Sequence, residues 1–238
     1  MQGRIELPPR LLAVAEYIPA GTCVVDIGTD HGYLPVSVVE SGHCPRAIAA
    51  DVGEGPLSSA ERHIQEAGLA EYVETRRSDG LDAFASEELS CIVMAGMGGD
   101  LIAEILERAH RQQKLTLCSA LILQPQSEVD RVRRMLHTIG FAIQAERMVE
   151  DRGKRYVILK SEPGREHYEP EEYLYGRRLW QARDTVFQKV LQEDLSKLGR
   201  FIENLQTKPV SPRNAERIRA FEIQRQQAER MLEQWDTQ

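Results

Sequence analysis

The sequence has little that would place it in a membrane or in an oxidising compartment. Its longest apolar runs fall far short of the roughly 20 residues that a membrane-spanning helix needs, and its first residues lack the apolar core of a signal peptide. Its four cysteines are widely spaced and form no C-x-x-C pair. We therefore expect a cytoplasmic protein with no membrane partner, no metal site, and buried free thiols at Cys23, Cys44, Cys91 and Cys118.

An excess of basic residues is also absent. The chain of 238 residues carries 30 Lys and Arg against 37 Asp and Glu, a formal net charge of −7. General nucleic-acid binders are commonly basic, so this charge argues against that class but leaves room for a local basic surface. Low-complexity tracts and internal repeats are lacking as well, and 42% hydrophobic with 28% charged residues is typical of a globular protein of one or two domains.

What the sequence does contain is a regular alternation of strand-like and helix-like segments. Continuously apolar strands are typical of a parallel sheet that helices cover on both faces. After five such strands, two more flank residues 150–153 and predict a hairpin. The sequence therefore predicts an α/β fold with a seven-stranded, mostly parallel sheet. The predicted strands are 22–27, 46–51, 72–77, 91–95, 120–123, 141–148 and 154–160, and the predicted helices are 5–18, 33–39, 55–67, 101–112 and one from a cap at Ser127 to Leu136.

The stretch from Val24 to Tyr33 organises this pattern. A β-branched strand ends in Asp26-x-Gly28, and an apolar helix follows from Tyr33. Gly28 lets the backbone approach a ligand where a Cβ would collide, and the helix would point its free N–H groups at that ligand. The stretch predicts a nucleotide-type cofactor pocket, although a single turn of this kind also occurs in ordinary α/β connections.

Carboxylates lie at the ends of three of the predicted parallel strands, at the edge where such sheets bind ligands. Asp51 ends the second strand and can accept hydrogen bonds from both hydroxyls of a ribose. Asp79, beside the flexible Gly80, can accept from an adenine amine. Asp26 lies too close to its turn for the ribose, and we expect it to hold the loop amides or to reach a cofactor ammonium through water. A loop-capping role is the alternative for each, but three in succession favour a cofactor site.

The charge at this edge of the predicted sheet distinguishes between two types of cofactor that contain adenosine. A dinucleotide favours G-x-G-x-x-G, so that its pyrophosphate can lie on the helix N-terminus. Here Asp30 stands two residues after Gly28, and its carboxylate would repel a pyrophosphate. S-adenosylmethionine has no phosphate and carries a sulfonium and an ammonium. The sequence therefore predicts S-adenosylmethionine rather than NAD.

The pattern changes to helices alone after Ser161-Glu162-Pro163-Gly164. Apolar residues recur every three or four positions from Trp180 to Leu205, with Asp184 and Asp194 between them, and again from Ile218 to Trp235. Ser211 can cap the second helix and Pro212 can start it. We predict two domains, 1–162 and 163–238, the second being an antiparallel coiled-coil helical hairpin.

Several motifs together carry a family resemblance. They are residues 26–35 (DIGTDHGYLP), 55–57 (GPL), 78–81 (SDGL), 94–99 (MAGMGG), 123–125 (LQP) and the 146–156 hairpin. With them the chain resembles the bacterial TrmK family, the tRNA (adenine-22, N1)-methyltransferases, from about residue 4 to the coiled coil. The resemblance implies a class I, Rossmann-like methyltransferase domain followed by a helical hairpin. It also implies S-adenosylmethionine as donor and N1 of an adenine in the tRNA D-arm region as acceptor.

One position departs from the family pattern. The fifth strand ends in Gln-Pro-Asn in the family and in Gln124-Pro125-Gln126 here. Glutamine keeps the amide but adds one methylene. We expect the role to survive with an altered geometry at Gln126.

The acceptor defines what catalysis requires. N1 of neutral adenine has a lone pair and needs no base, so alignment of nitrogen, methyl and sulfur is the main task. Asp30 is predicted to accept from the N6 amine, while the 96–98 backbone, Gln124 and Gln126 position the base. N1 lies on the Watson–Crick edge, so the target adenine must be unpaired or swung out. Tyr33 could then stack on it, the alternative being packing at the helix start.

The remaining assignments concern cofactor and RNA. His31 is predicted to be a loop hydrogen-bonding residue rather than a general base, and Met94 and Met97 fit either the core or the cofactor site. The predicted cofactor-binding residues are Asp26, Gly28, His31, Asp51, Val52, Asp79, Gly80, Ala95, Gly96 and Met97. Phosphate contacts are predicted at Arg131, Arg133, Arg134, Arg152, Lys154 and Arg155, with an ordinary solvated surface as the alternative.

Other functions stay open at this point. The hairpin could grip tRNA or form a dimer contact, and we expect a monomer or a weak dimer. A methyltransferase that acts on another RNA, a protein or a small molecule would share the fold. A non-enzymatic S-adenosylmethionine-binding module is the remaining alternative.

Overall fold

The computed structural model describes residues 6–209 and 211–236. The chain divides into two compact units, with the boundary between Glu166 and His167. The last strand of the first unit runs through Pro163, so this boundary lies four residues beyond the one drawn from composition. No helix within the described ranges is long and apolar enough to cross a membrane.

The first unit alternates strands and helices in the predicted order. Its elements are α1 (Pro9–Tyr17), β1 (Cys23–Ile27), α2 (Tyr33–Glu40), β2 (Arg46–Asp51), α3 (Glu54–Glu66), β3 (Val73–Arg77), a 3₁₀ turn (Ser86–Glu88), β4 (Cys91–Met97), α4 (Gly99–Arg111), β5 (Ala120–Pro125), α5 (Val129–Thr138), β6 (Phe141–Asp151) and β7 (Lys154–Pro163).

These strands form one sheet in the order β3-β2-β1-β4-β5-β7-β6. Strands β1 to β5 are mutually parallel, and β7 pairs antiparallel with both β5 and β6. The predicted seven-stranded, mostly parallel sheet is therefore confirmed. Because β1 pairs with β2 on one side and β4 on the other, the strand order reverses there. Ligands of open α/β sheets bind at that switch point.

Burial explains the continuous apolar strands. Val24, Val25, Val93 and Ile122 are fully buried in the sheet, as expected where helices cover both faces. The prediction of buried free thiols is confirmed for Cys44, Cys91 and Cys118, whereas Cys23 is partly exposed. Burial raises the pKa of Cys118 to about 12, so this thiol stays protonated at neutral pH.

The β6–β7 hairpin has a tighter turn than predicted. Asp151 pairs directly with Lys154, so only Arg152 and Gly153 form the turn. Both have positive φ, 50° and 74°, which is the conformation of a two-residue type I′ turn, whose twist suits the flanking strands.

The segment 96–99, which we call the glycine loop, lies at the junction of β4 and α4 and packs on the loop before α5. The Gly99 N–H donates to the carbonyl of Ser127 at 3.1 Å, and the Gln126 N–H donates to the carbonyl of Met97 at 2.8 Å. The predicted Ser127 cap is wrong, because α5 begins after Glu128 (φ 49°) and no side chain caps it. The carbonyl of Ser127 instead holds the glycine loop.

Gly99→Ala should destabilise the protein. A Cβ at this position would lie 2.3 Å from the Ser127 carbonyl oxygen and 2.7 Å from that of Glu128. Both atoms belong to the backbone, so the loops must move apart, at a cost of about 1–3 kcal/mol. Thermal denaturation measures this loss. Gly55→Ala in α3 is the control, because a Cβ there would have no atom of a neighbouring segment within 4 Å. An equal loss of stability in both variants would contradict the packing described.

A buried ion pair joins α5 to β6. The Arg133 Nε atom lies 2.6 Å from Glu146 Oε1, and the two side chains are 1% and 0% exposed. Arg133 therefore cannot meet a phosphate, and its predicted RNA contact is wrong. The charge pattern of α5 did not distinguish an arginine on the buried face from one on the solvated face.

The second unit is helical, with α6 (Pro170–Tyr175), α7 (Arg177–Gln181), α8 (Thr185–Gln206) and α9 (Pro212–Asp236). The predicted continuous stripe from Trp180 is wrong, because Asp184 accepts from the N–H groups of Val186 and Phe187 and begins a new helix.

Two ring contacts define the direction of α9 against α8. The centroids of Phe187 and Trp235 are 6.1 Å apart, and those of Phe201 and Phe221 are 5.6 Å apart. The early part of α8 thus contacts the late part of α9, so the helices are antiparallel, as predicted. Ser211 Oγ accepts from the Asn214 N–H at 3.2 Å, which confirms the cap of α9.

Candidate active site

A cavity of about 670 Å³ lies at the carboxyl ends of β1 and β4. This volume is in the range of about 300–1,000 Å³ that is typical of small-molecule sites. Its wall also includes α1 and the end of β6, through Arg10 and Asp151, which were not predicted as site residues. The predicted site residues in the wall are Asp26, Gly28, Asp30, His31, Tyr33, Ala95, Gly96, Gln126 and Arg152.

Asp26 is a buried carboxylate in the wall of this cavity. It is 5% exposed, and its Oδ2 atom accepts from the Thr29 hydroxyl at 2.7 Å. The loop amides of Gly28 and Thr29 donate instead to the carbonyl of Ala50, so the expectation that Asp26 holds these amides is wrong. Burial raises the pKa of Asp26 to about 6, the Thr29 bond opposes this rise, and the Asp51 carboxylate adds to it.

The raised pKa of Asp26 predicts a pH-dependent stability. The folded chain binds this proton more tightly than the unfolded chain does, with a pKa of about 6 against 3.8. The contribution of Asp26 to stability is therefore fully present below about pH 4 and is lost as the pH rises through 6. Asp26→Asn removes this loss, so the stability of the variant relative to the native chain should increase by about 1–2 kcal/mol from pH 5 to pH 7. Urea denaturation at both pH values measures the difference, and a constant difference would contradict the assignment.

The backbone at Gly28 makes close contact with Met97. Gly28 has φ +73°, and a Cβ there would lie 2.2 Å from the Met97 terminal methyl group. The glycine therefore lets the Met97 side chain cover the end of β1. Met94, by contrast, is fully buried in the sheet, which favours a core role for it.

The residues predicted for the adenosine follow β2 and β3 and do not line the cavity. Asp51 ends β2, and its Oδ1 atom accepts from the Gly53 N–H at 2.9 Å, which orients the carboxylate. Its carbonyl accepts from the Ser78 N–H, so the two loops are adjacent. Val52 is 62% exposed and presents its side chain to solvent.

Arg108 of α4 holds the Asp79 loop and was not predicted. Its Nη2 atom donates to both Oδ1 and the carbonyl of Asp79 at 2.9 Å, and its Nε lies 3.2 Å from Asp82. A Cβ on Gly80, which has φ +55°, would lie 2.9 Å from an Ile105 methyl carbon. The loop thus packs closely on α4, and one Asp79 oxygen is bound by a cation.

The two glutamines at the end of β5 lie in different environments. Gln124 is fully buried, does not line the cavity, and donates through Nε2 to the carbonyl of Pro125 at 3.1 Å. Gln126 is exposed and lines the cavity, with its Nε2 atom 3.6 Å from the Cβ position of Gly96. Gln126 is therefore the one of the two that a molecule in the cavity can contact directly.

Arg10 connects α1 to this end of the sheet. Its Nη1 donates to Gln124 Oε1 at 3.3 Å, its Nε lies 3.9 Å from Asp151 Oδ2, and its guanidinium carbon lies 5.8 Å from the centre of the Tyr156 ring. Sequence reasoning missed these contacts because they join positions more than 100 residues apart. The one available signal was a basic residue at the start of a mostly apolar helix.

Three aromatic side chains form a cluster that includes His31 and Tyr33 of the cavity wall. The rings of Tyr33 and His63 stack with centroids 4.8 Å apart, and the His31 ring lies 5.4 Å from Tyr33. The His63 Nδ1–H donates to the carbonyl of His31 at 2.8 Å. Tyr33 is 37% exposed, so one face of its ring is supported and part of it stays accessible.

The predicted phosphate-binding residues differ in their surroundings. Arg131 pairs with Asp100 at 2.8 Å, and Arg155 pairs with Glu150 at 3.1 Å. Arg134, Arg152 and Lys154 are exposed. Arg152 in addition lines the cavity, so it is the predicted phosphate contact that lies nearest to the candidate site.

The chain is similar in sequence to a family of tRNA methyltransferases. The sequence model of the family described as "TrmK: tRNA (adenine(22)-N(1))-methyltransferase" matches residues 24–229. The tRNA (adenine(22)-N(1))-methyltransferase of Bacillus subtilis is 41% identical over 160 residues, which are 67% of this chain and 66%, just under two thirds, of that relative.

Solved structures extend the similarity over nearly the whole chain. The structure of the B. subtilis m1A22 tRNA methyltransferase has a TM-score of 0.88 at 32% identity and covers 95% of this chain and 99% of that one. A Streptococcus pneumoniae protein solved in complex with S-adenosyl-L-methionine, and described as a putative tRNA (m1A22) methyltransferase, has a TM-score of 0.82 at 35% identity, with 94% and 98% covered. Since the family model spans residues 24–229, the chain belongs to the family of tRNA (adenine(22)-N(1))-methyltransferases.

Proposed function

We propose that this protein transfers a methyl group from S-adenosylmethionine to N1 of adenine 22 in tRNA. The observation that carries the proposal is the arrangement of carboxylates at the carboxyl edge of the sheet. Asp26 is buried in the cavity wall, Asp51 ends β2, and Asp79 follows β3. An acidic edge with a glycine turn fits a cofactor that carries two positive charges and no phosphate.

The chain has suitable groups for each part of S-adenosylmethionine. Asp51, oriented by Gly53, can accept from the ribose hydroxyls. The Asp79 oxygen that Arg108 leaves open can accept from the adenine amine. Asp26 and Asp30 line the cavity, and their carboxylates can stabilise the sulfonium and the ammonium. When bound, S-adenosylmethionine supplies a methyl group on a sulfonium, whose sulfur keeps the electron pair of the broken carbon–sulfur bond.

The protein's own task is to hold the acceptor adenine in line. N1 of adenine donates its lone pair without losing a proton, so no general base is required. Asp30 is 72% exposed with φ +55°, so its carboxylate can accept from the N6 amine as the ring gains positive charge. Gln126 and the Gly96 backbone can hold the base edge, and Tyr33, supported by His63, offers a surface for stacking. We assign Gln124 an indirect role through Arg10.

The proposed tRNA-binding surface extends from the cavity along the β6–β7 turn. Arg152 and Lys154 are exposed there, and phosphates close to the flipped adenine can bind them. Arg131, Arg134 and Arg155 extend this surface in the proposal.

We further propose that the protein acts in the cytoplasm as a monomer or weak dimer, with the helical hairpin as a second contact to tRNA.

Methylation of defined transcripts tests the proposal. Unmodified tRNA is incubated with S-adenosylmethionine that carries a labelled methyl group, and the label is mapped by nuclease digestion and mass spectrometry. We expect one 1-methyladenine, at position 22, and no labelling of a transcript with guanine at that position. Equal labelling of both transcripts would refute the acceptor, and labelling of protein or of small molecules alone would favour another substrate class.

A further inference from the structure

The cavity wall carries six charged side chains of unequal sign. Four are carboxylates, from Glu6, Asp26, Asp30 and Asp151, and two are guanidiniums, from Arg10 and Arg152. The cofactor in the proposed function, on which this inference rests, has a carboxylate on its methionyl group in addition to its two positive charges. In an acidic cavity that carboxylate needs a cation, because like charges at short range and reduced dielectric repel strongly.

Arg10 is better placed for this purpose than Arg152. Arg10 lies on α1 with its side chain 27% exposed, and contacts with Gln124 and Tyr156 hold it in position. Its Nη1 atom lies 3.7 Å from the Cβ position of Gly96, which puts the guanidinium beside the carboxyl end of β4. Arg152 is exposed in a two-residue turn, where its ordering would cost more side-chain entropy.

The guanidinium of Arg10 also has N–H donors that these contacts do not use. Its contacts with Gln124 and Asp151 are long, 3.3 and 3.9 Å, and use Nη1 and Nε. The planar guanidinium fork can bind both oxygens of a carboxylate. We propose that Arg10 binds the carboxylate of the methionyl group of S-adenosylmethionine. Through its bond to Gln124 at the end of β5, Arg10 would then connect the cofactor to the acceptor side of the cavity.

A matched pair of ligands isolates this contact. S-adenosylhomocysteine and S-adenosyl-3-thiopropylamine differ only in the carboxylate. Calorimetry on the full chain measures the affinity of both ligands for the native protein and for Arg10→Met. We expect the variant to lose 10- to 100-fold in affinity for S-adenosylhomocysteine, as for a hydrogen bond to a charged group, and at most twofold for the analogue.

Two further variants keep the test decisive. Arg10→Lys retains the charge without the fork and should lose less, and it replaces Arg10→Met if that variant does not fold. Arg152→Met should not distinguish the two ligands. The proposal would be overturned if the Arg10 variants lost equal affinity for both ligands or lost affinity for neither. It would also be overturned if Arg152→Met lost affinity for S-adenosylhomocysteine alone. The N-terminus of α2 would then be the alternative carboxylate site. Failure here leaves the adenine-22 labelling result unchanged, so the two proposals fail separately.

Discussion

Glu146→Ala should lower the free energy of unfolding by about 3–5 kcal/mol, which is the cost of removing one member of a buried ion pair. Arg133 and Glu146 are 2.6 Å apart and almost completely shielded from solvent. Removal of the carboxylate leaves a guanidinium charge inside the first unit. Urea denaturation with a two-state fit measures the loss.

Two controls accompany the Glu146 variant. Glu54 pairs with Arg77 at 2.9 Å, but these side chains are 80% and 66% exposed, so Glu54→Ala should cost less than about 1 kcal/mol. The double change Arg133→Met with Glu146→Leu removes both charges and should recover most of the loss. If Glu146→Ala cost no more than Glu54→Ala, the pair would not be buried as described.

Asp51→Ala should weaken the binding of S-adenosylhomocysteine by about a hundredfold or more. In the proposed site its carboxylate accepts from two ribose hydroxyls, and a hydrogen bond to a charged group contributes about 1.5–3 kcal/mol. The Gly53 N–H, which donates to Oδ1 at 2.9 Å, loses its acceptor as well, so the turn after β2 becomes less ordered. Calorimetry gives the affinity, and thermal denaturation confirms that the fold persists.

The matched control for Asp51 lies three residues further along. Glu54→Ala removes the same charge from an exposed side chain and should change the affinity less than twofold. Asp51→Asn keeps an acceptor for Gly53 and isolates the contribution of the charge. An Asp51→Ala affinity equal to that of the native protein would exclude this carboxylate from the cofactor site.

The sheet could be predicted from sequence because its signals are local. The strand 46–51 was predicted with its observed limits, since an apolar run between polar ends is distinctive in a parallel sheet. The placement of carboxylates and glycines at the carboxyl ends followed from the same strands. The end of β6 was predicted three residues too early, because a two-residue turn with an arginine at positive φ lacks the usual Asn-Gly signal.

The parts of the site that depend on distant contacts could not be predicted. Arg10 reaches Gln124 across 114 positions, and His63 supports Tyr33 from a different helix. Arg108 of α4 binds Asp79. In the sequence, Arg108 cannot be distinguished from the other polar residues of this amphipathic helix. Such residues become recognisable only when the fold has brought their elements together.

The selectivity of the cavity for its cofactor tests the central claim most directly. In the proposed site, Asp26, Asp30 and Asp51 make the carboxyl edge of the sheet favourable to a sulfonium and an ammonium and unfavourable to a pyrophosphate. Titration of the native protein with S-adenosylhomocysteine and with NAD in the same buffer compares the two cofactor types. The account predicts saturable binding of S-adenosylhomocysteine and no measurable binding of NAD, and NAD binding of equal or greater affinity would contradict it.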